Sequence, residues 1–304
     1  MRSLKEYNKY EWILLTPLAH VYKQARNDII SRLYTRHTTD NHQKEICKIN
    51  QSTNANNIII SITFGRTRLT ELQIKQFKKF NQDSLLIIAD NSPTTEGKNA
   101  IEKTCRQENI HYFSLPKNRS THANRSHSLA LQWCYKNIIS QVHPEIFGFI
   151  DHDIIPTQPF NITNKQWSIP IYGLVWNSSI NKAWQLWAGY CFFNYRLTKN
   201  KNLNFMYDFA NGLDTGGRNY SYFKTLNRSS IPNISNIFAY SEHNNKNYKF
   251  QIIDECWVHM GGAGHKQDYK DRFSDFTDFI SLLNNNPKWS IENHFFNKIK
   301  NIIH

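Results

Sequence analysis

Residues 146–153 read Ile146-Phe147-Gly148-Phe149-Ile150-Asp151-His152-Asp153. A short unbroken apolar run that ends in charged residues is the pattern of a strand covered on both faces, with its end at the surface. Residues two apart in a strand point the same way, so Asp151 and Asp153 share a face. Two carboxylates side by side repel each other, and a divalent cation that also bridges to a phosphate relieves the repulsion. Hard oxygen donors suit Mn2+ or Mg2+. The plainer reading of the same residues is an Asp-capped turn without metal.

Three similar runs precede this one. Ile58 to Phe64 is β-branched and ends at Gly65, Leu85 to Ala89 ends in Asp90-Asn91-Ser92-Pro93, and His111 to Leu115 is shorter. Helical patterns lie between them. Thr70-x-x-Gln73 reads as a capping box before Leu72, Phe77 and Phe80. Residues 96–108 place Ala100, Ile101, Thr104 and Cys105 on one face, and residues 122–140 do the same with Leu129, Ala130 and Trp133. Strands alternating with helices need crossover connections. The expected fold is therefore α/β, a Rossmann-like, mostly parallel sheet with helices on both faces. In such sheets ligands bind beyond the carboxyl ends of the strands. Phe64-Gly65-Arg66, Asp90-Asn91 and Asp151-His152-Asp153 all fall there. Asp90 can accept from a base or ribose donor, or can simply stabilise its turn. His152-Asp153 is also an H-D dipeptide of the kind metal phosphohydrolases carry on helices; here it follows a strand.

These motifs, with Leu115-Pro116-Lys117-Asn118-Arg119, resemble in order the family-two-like glycosyltransferases of the GT-A fold. The resemblance covers residues 58–160 well and 170–265 loosely. It implies a nucleotide-sugar donor, a UDP-sugar first among them, with one divalent metal held by Asp151 and Asp153 and base recognition at Asp90. It implies donor contacts from Phe64, Gly65, Arg66, Asn91 and Asp151, and places Arg125 at the donor diphosphate. Ser120-Thr121-His122 stands where the family has a glycine before that helix. Asp214, in Leu213-Asp214-Thr215-Gly216-Gly217, resembles the family's catalytic acid-base position, with Leu213 where Glu is usual. His259 resembles the late histidine that completes the metal shell, and His265 is a further candidate. Asp208 and Asp254 are weaker candidates for the base. The implied reaction is inverting hexosyl transfer to a glycan, lipid-linked or protein hydroxyl.

The remainder is less regular. Trp184, Trp187 and Trp257 suit a core more than a sugar platform. Residues 187–193 and 255–259 suit strands, and residues 218–227 suit a helix. Met260 to His265 is glycine-rich. Phe273, Phe276, Phe279, Ile280 and Leu283 recur at helical spacing. Ile291, Phe295, Ile299, Ile302 and Ile303 suggest a last helix. At the start, Thr16 with Pro17 reads as a helix cap. Leu18, Val21, Tyr22, Ala25, Ile29 and Leu33 follow at helical spacing among Lys23, Arg26, Arg32 and Arg36. This helix is expected to pack on the main domain, with a membrane or partner surface as the second reading. Residues 38–57 read as a polar linker or loop. Four segments result: 1–57 as extension and linker, 58–160 as donor half, 161–270 as acceptor and catalytic half, and 271–304 as C-terminal helices.

The 304 residues carry 37 Lys and Arg against 24 Asp and Glu, so 37 − 24 = +13. Such a surface favours polyanions, including nucleotide diphosphates and an anionic membrane surface. A nucleic-acid-binding module is the alternative from another class, but no nucleic-acid motif is visible and no nucleic acid is expected. A nucleotidyltransferase is the enzymatic alternative, with only Gly65-Arg66-Thr67-Arg68 to serve as its phosphate loop. The 14% aromatic content excludes global disorder. No apolar run reaches the roughly 18–20 residues of a membrane span, and no signal peptide is read. Five scattered cysteines, none in a C-x-x-C pair, argue against disulfides and a cysteine zinc site. The expected setting is cytoplasmic, with peripheral membrane contact as an extension.

Overall fold

The computed structural model of the chain describes every residue except 1, 3, 40, 166, 168, 244–245, 263–268, 287–288, 291–295, 297 and 302–304. It begins with three helices, α1 (Lys9–Ile13), α2 (Thr16–Arg36) and α3 (His42–Asn50). The expected alternation follows as β1 (Asn57–Thr63), α4 (Thr67–Phe80), β2 (Leu85–Asp90), α5 (Thr95–Gln107), β3 (His111–Ser114), α6 (Ala123–Cys134), α7 (Ser140–Val142) and β4 (Ile146–Asp151). Then come β5 (Ile154–Pro156), β6 (Ile171–Asn177), β7 (Trp184–Asn194), α8 (Tyr195–Thr198) and α9 (Tyr220–Phe223). The chain closes with β8 (Asn236–His243), β9 (Lys246–Ile253), β10 (Trp257–His259), α10 (Tyr269–Asn285) and β11 (Lys298–Asn301).

The first sheet has the order β3-β2-β1-β4-β7-β6. β1 runs parallel to β2 and β4, and β2 to β3; β7 runs against both its neighbours. The fold is thus α/β with a mostly parallel sheet, as expected. Alternate residues of β1 explain why it reads as a continuous apolar run. Ile58, Ile60 and Ile62 pack with Leu129 and Trp133 of α6, while Ile59 packs with Ile74 and Phe77 of α4. β2 and β3 lie on one side of β1, and β4 lies on the other. The order therefore reverses between β1 and β4, which is where an open α/β sheet forms its ligand crevice. Ile62 pairs in register with Asp151, so Asp151 stands on the lip of that crevice.

A second sheet, β11-β8-β9-β10-β5, was not foreseen. Its pairs are antiparallel, and α10 covers one face with Phe273, Phe276, Phe279, Ile280 and Leu283, all buried as the helical spacing predicts. Lys298–Asn301, including Ile299, is a strand on β8 and not the expected last helix. Positions 291, 295, 302 and 303 of that expectation, and His265, lie outside the described residues. Segments 58–160 and 161–270 interleave, because β6 and β7 complete the first sheet while β5 joins the second.

Other local expectations are corrected. Residues 42–50 form a helix rather than a loop, held by buried His42, Ile46 and Ile49. Thr16 is the first residue of α2; its cap is Leu15, with φ 53°, and no side chain caps the helix. Thr70 and Gln73 form no capping box, since α4 already starts at Thr67 with Arg66 as its cap. Thr70 instead shares a 2.8 Å hydroxyl contact with Thr63. The helix expected at 218–227 is reduced to a 3-10 turn at Gly217–Asn219 and the short α9. The inner face expected of α2 is also reversed: Pro17, Asn27, Ser31 and Tyr34 face the protein, while Leu18, Tyr22, Ile29 and Leu33, expected to pack on the main domain, are exposed. Among the described residues, no helix is long and apolar enough to cross a membrane.

Gly148 in β4 lies under Phe192 of β7, and a Cβ there would sit 2.1 Å from the Phe192 ring. Phe192 is fully buried and has nowhere to go. Gly148→Ala is expected to destabilise the protein by about 1–3 kcal/mol through overpacking, read as a lower urea midpoint with an unchanged m-value.

Candidate active site

Asp151 is the last residue of β4, and Asp153 directly precedes β5. The chain crosses from one sheet to the other between them. Several contacts fix this turn. Gln73 Nε2 donates to the carbonyls of Asp151 (2.9 Å) and Ile154 (2.8 Å). His152 Nδ1 lies 3.2 Å from the Ile62 carbonyl, and Met260 N donates to the Asp153 carbonyl at 2.9 Å.

Each carboxylate faces an imidazole. β10 pairs with β5 so that His259 is opposite Ile154, and this register carries its ring to Asp153. His259 Nε2 lies 3.5 Å from Asp153 Oδ2, and Nδ1 lies 2.6 Å from Gln251 Oε1. Gln251 gives its amide nitrogen to Asn236 at 2.7 Å, so its oxygen is the atom facing the ring. With Nδ1–H donated there, Nε2 is the ring atom turned to the carboxylate. Burial opposes charge on both groups, but each favours the other's charged form. Asp153 is held well below the usual carboxylate range, and His259 is held above its own. On the other side, His127 Nε2 lies 3.4 Å from Asp151 Oδ1. Burial pushes the Asp151 carboxyl up, the His127 charge opposes this, and Asp153 adds to it.

A cavity of about 170 Å³ opens over Asp151. Asn124 and His127 line it from the first turns of α6, Gln185 and Trp187 from β7, and Asp214 from the loop before α9. Asp214 Oδ1 accepts from Thr215 N at 2.6 Å, and Thr215 Oγ1 reaches the Asn124 carbonyl at 3.2 Å, which ties this loop to α6. Trp187 stacks on Trp176 at 5.8 Å and lies 5.0 Å from the His259 ring. Gly189 permits the approach of β7, since a Cβ would stand 2.6 Å from Asp151 Oδ2 and 2.6 Å from the Trp187 ring. Two larger cavities, about 790 and 780 Å³, lie along the β3 edge and beside Asp254, away from these carboxylates.

Asp151, Asp153, Asp214 and His259 are thus brought together. The donor candidates surround them less closely. Asp90 is fully buried, and its oxygens accept from Ser92 N (2.8 Å), the Ser92 hydroxyl and Tyr112 OH (3.0 Å). Burial raises its pKa, and these hydrogen bonds pull against that. Gly65 N donates to Ser92 Oγ at 2.7 Å, so Asp90 organises the loops after β1 and β2. Phe64 is exposed on this rim, Arg66 lies 4.0 Å over the Tyr269 ring, and Asn91 donates to Ser126 Oγ at 3.1 Å. Arg125 Nε donates to Ser120 Oγ at 2.8 Å and does not line the 170 Å³ cavity; His127, overlooked in the sequence, does. Its signal was the three-residue spacing from Asn124 on one helix face. Gln73 and Gly189 were also missed. Trp184 and Trp257 are core, as expected, whereas Trp187 faces the cavity. Asp208 is buried against Asn211, and Asp254 accepts from Tyr172 and Tyr190 beside Lys165. The five cysteines are free.

No protein-family model matches the sequence, and a search of curated proteins found no match. Solved structures do show a likeness. One is the mannosyltransferase PcManGT from Pyrobaculum calidifontis in complex with GDP-Man and Mn2+, at 11% identity and a TM-score of 0.37 over 61% of this chain. Another is S. aureus TarS, at 16% identity and a TM-score of 0.30 over 49% of this chain. The matched part spans 58% of the mannosyltransferase chain and 30% of TarS, less than two thirds of either. At these identities and scores the likenesses carry no argument about activity.

Gln73→Leu removes the donor to the buried Ile154 carbonyl and to the partly buried Asp151 carbonyl. It is expected to cost about 1–3 kcal/mol of stability in urea unfolding.

Proposed function

We propose that this chain is a metal-dependent glycosyltransferase that moves a sugar from a nucleotide-diphosphate sugar to an acceptor hydroxyl. The observation that carries this reading is the small cavity lined by Asp151, His127 and Asp214 at the switch point of an α/β sheet, with the Asp153–His259 pair two residues along the chain from Asp151. Among the described residues no three His, Cys, Asp or Glu side chains form a ready cage. The donor set nevertheless fits a cation shared with a ligand. Asp153 Oδ2 and His259 Nε2 stand 3.5 Å apart. Two donors each roughly 2.0–2.2 Å from one ion sit at such a separation. Gln251 orients the imidazole as an outer partner would. Asp151, Asp153 and His259 would hold Mn2+ or Mg2+, which when bound neutralises the departing diphosphate.

The chain's own residues supply the rest. The amino end of α6 lines the cavity and favours an anion there. His127 can hold a proton against Asp151 or give a hydrogen bond to a phosphate oxygen. Asp214 accepts the proton of the acceptor hydroxyl. With Asp214 as the one base, the reaction is assigned as single displacement with inversion and the group moved as a hexosyl. Trp187 offers an aromatic face for sugar or acceptor. The rim residues Phe64, Gly65, Arg66, Asn91 and Arg125 are assigned to the nucleotide, with Asp90 holding their loops. UDP-sugars and GDP-mannose, the second named for the Pyrobaculum protein, are the donors to test first, with glycan, lipid-linked and protein acceptors. Five free thiols support a reducing, cytoplasmic setting.

Melting curves with nucleoside diphosphates, with and without manganese, test the site. At a hundredfold excess over Kd, the ligand should stabilise the fold by about 2.7 kcal/mol and only with metal. Asp153→Ala should abolish that shift. Asp214→Asn should keep it while sugar transfer falls by about 10²–10⁴-fold. Full transfer by either variant would overturn the assignment.

A further inference from the structure

Exposed large apolar side chains are not spread evenly. Of the 14 among the described residues, 11 lie between Leu4 and Leu33. Ile13 is 76% exposed and Tyr22 68%, although both belong to segments rich in apolar side chains. α1 and the turn after it contribute Tyr10, Trp12, Ile13, Leu14 and Leu15. α2 contributes Leu18, Tyr22, Ile29 and Leu33, which fall on one helix face by their spacing. The opposite face of α2 is the one already anchored. Asn27 donates to Tyr207 OH at 3.0 Å, Tyr34 OH donates to the Pro116 carbonyl at 3.1 Å, and Asp28 pairs with Arg218. An apolar patch of this extent on a soluble surface marks an interaction site.

Charge identifies the occupant. Residues 2–36 hold seven Lys and Arg and three Asp and Glu, so 7 − 3 = +4. Lys5, Lys9, Lys23, Arg26, Arg32 and Arg36 are exposed, and at 100° per residue Arg26 and Arg32 flank the α2 stripe. Two of the acids are engaged within the protein, Glu11 by Arg2 and Asp28 by Arg218. A second copy docked face to face would bring these cations together. Apolar side chains with Trp and Tyr, rimmed by cations, instead match the boundary of an anionic leaflet. We propose that α1 and α2 form a docking surface for anionic phospholipid, on which α2 lies in the plane of the interface. α2 rests on α6 and on the 207–218 segment, which carry His127 and Asp214. Helices pack roughly 8–10 Å apart, so α6, which carries His127, lies one helix layer below the proposed lipid-facing stripe.

Flotation of the full chain tests this, with vesicles of phosphatidylcholine alone or with phosphatidylglycerol added. The protein is expected to float only with the anionic vesicles and to be released by salt. Leu18→Glu with Ile29→Glu should abolish flotation. Arg26→Gln with Arg32→Gln should weaken it about fivefold per cation removed, since each near-surface cation contributes on the order of 1 kcal/mol. All four positions are exposed, so urea unfolding should match the wild type in both variants. The proposal falls if the wild type does not float, if it floats equally on neutral vesicles, or if the Glu variant still floats. It also falls if the wild type is a dimer without lipid and the Glu substitutions make it a monomer, because the patch is then a contact between copies.

Discussion

Two acidic side chains at the seam between two sheets set the terms for the site. Charge taken out of water costs several kcal/mol per ion unless it is matched. Asp153 is buried and Asp151 is partly so. The protein meets the cost with an imidazole for each, drawn from α6 in one case and β10 in the other. The turn between them is bound by α4 through Gln73 and by the segment after β10 through Met260. Three separate parts of the chain, α4, α6 and β10 with the residue after it, therefore converge on residues 151–153. Both carboxylates are thereby held in fixed orientations by groups from the rest of the fold.

The seam also explains why the chain has two sheets. β4 ends at Asp151 in the first sheet and β5 begins at Ile154 in the second, so Asp153 belongs to neither. The second sheet delivers His259 by its register with β5, and the first delivers Asp151 by its register with β1. β7 closes the remaining side, and only glycine at 189 lets it come this near. Small changes in how the sheets meet would alter the separation of Asp151, Asp153 and His259. The packing of α4 under both sheets, through Leu69 in one core and Ile74 and Phe77 in another, resists such a change.

The parallel strands were legible because a strand buried on both faces writes an unbroken apolar run, and four such runs stand between helical patterns. Asp151 was legible because it ends the last of them; Asp153 follows in the turn to β5, so that turn, and not the expected shared strand face, sets the two carboxylates together. The second sheet was not legible, because β8 and β9 mix apolar residues with Asn236, Ser241, Glu242, Asn247, Lys249 and Gln251 rather than forming an unbroken apolar run. In β9 the inward Tyr248, Phe250 and Ile252 alternate with Asn247, Lys249 and Gln251, but in β8 Phe238 stands between the inward Ile237 and Ala239, so the pair writes no clean period of two. α3 was hidden for a similar reason, with only Ile46 and Ile49 to show its buried side. Spacing located α2 but misassigned its inner face, since an apolar stripe identifies a face and not what covers it. Arg125 was singled out by the resemblance, while the cavity is lined by His127, one helical turn beyond Asn124.

α2 shows how polarity can orient an element. A helix held by apolar contacts can rotate by a fraction of a turn at little cost, since dispersion contacts are non-directional. Its inner face here is held by directional ones: Asn27 to Tyr207, Tyr34 to Pro116, and the ion pair of Asp28 with Arg218. Trp133 adds a hydrogen bond to the His37 carbonyl just beyond its end, at 2.6 Å. Each partner would be left unsatisfied by rotation, at a cost of about 1–3 kcal/mol apiece. The leucine and isoleucine stripe is therefore fixed outward by polar groups on the far side of the same helix. Apart from Tyr34, which bonds Pro116, these contacts run to α6 and the 207–218 segment, so the orientation of the outer stripe and the walls of the cavity share most of one set of contacts.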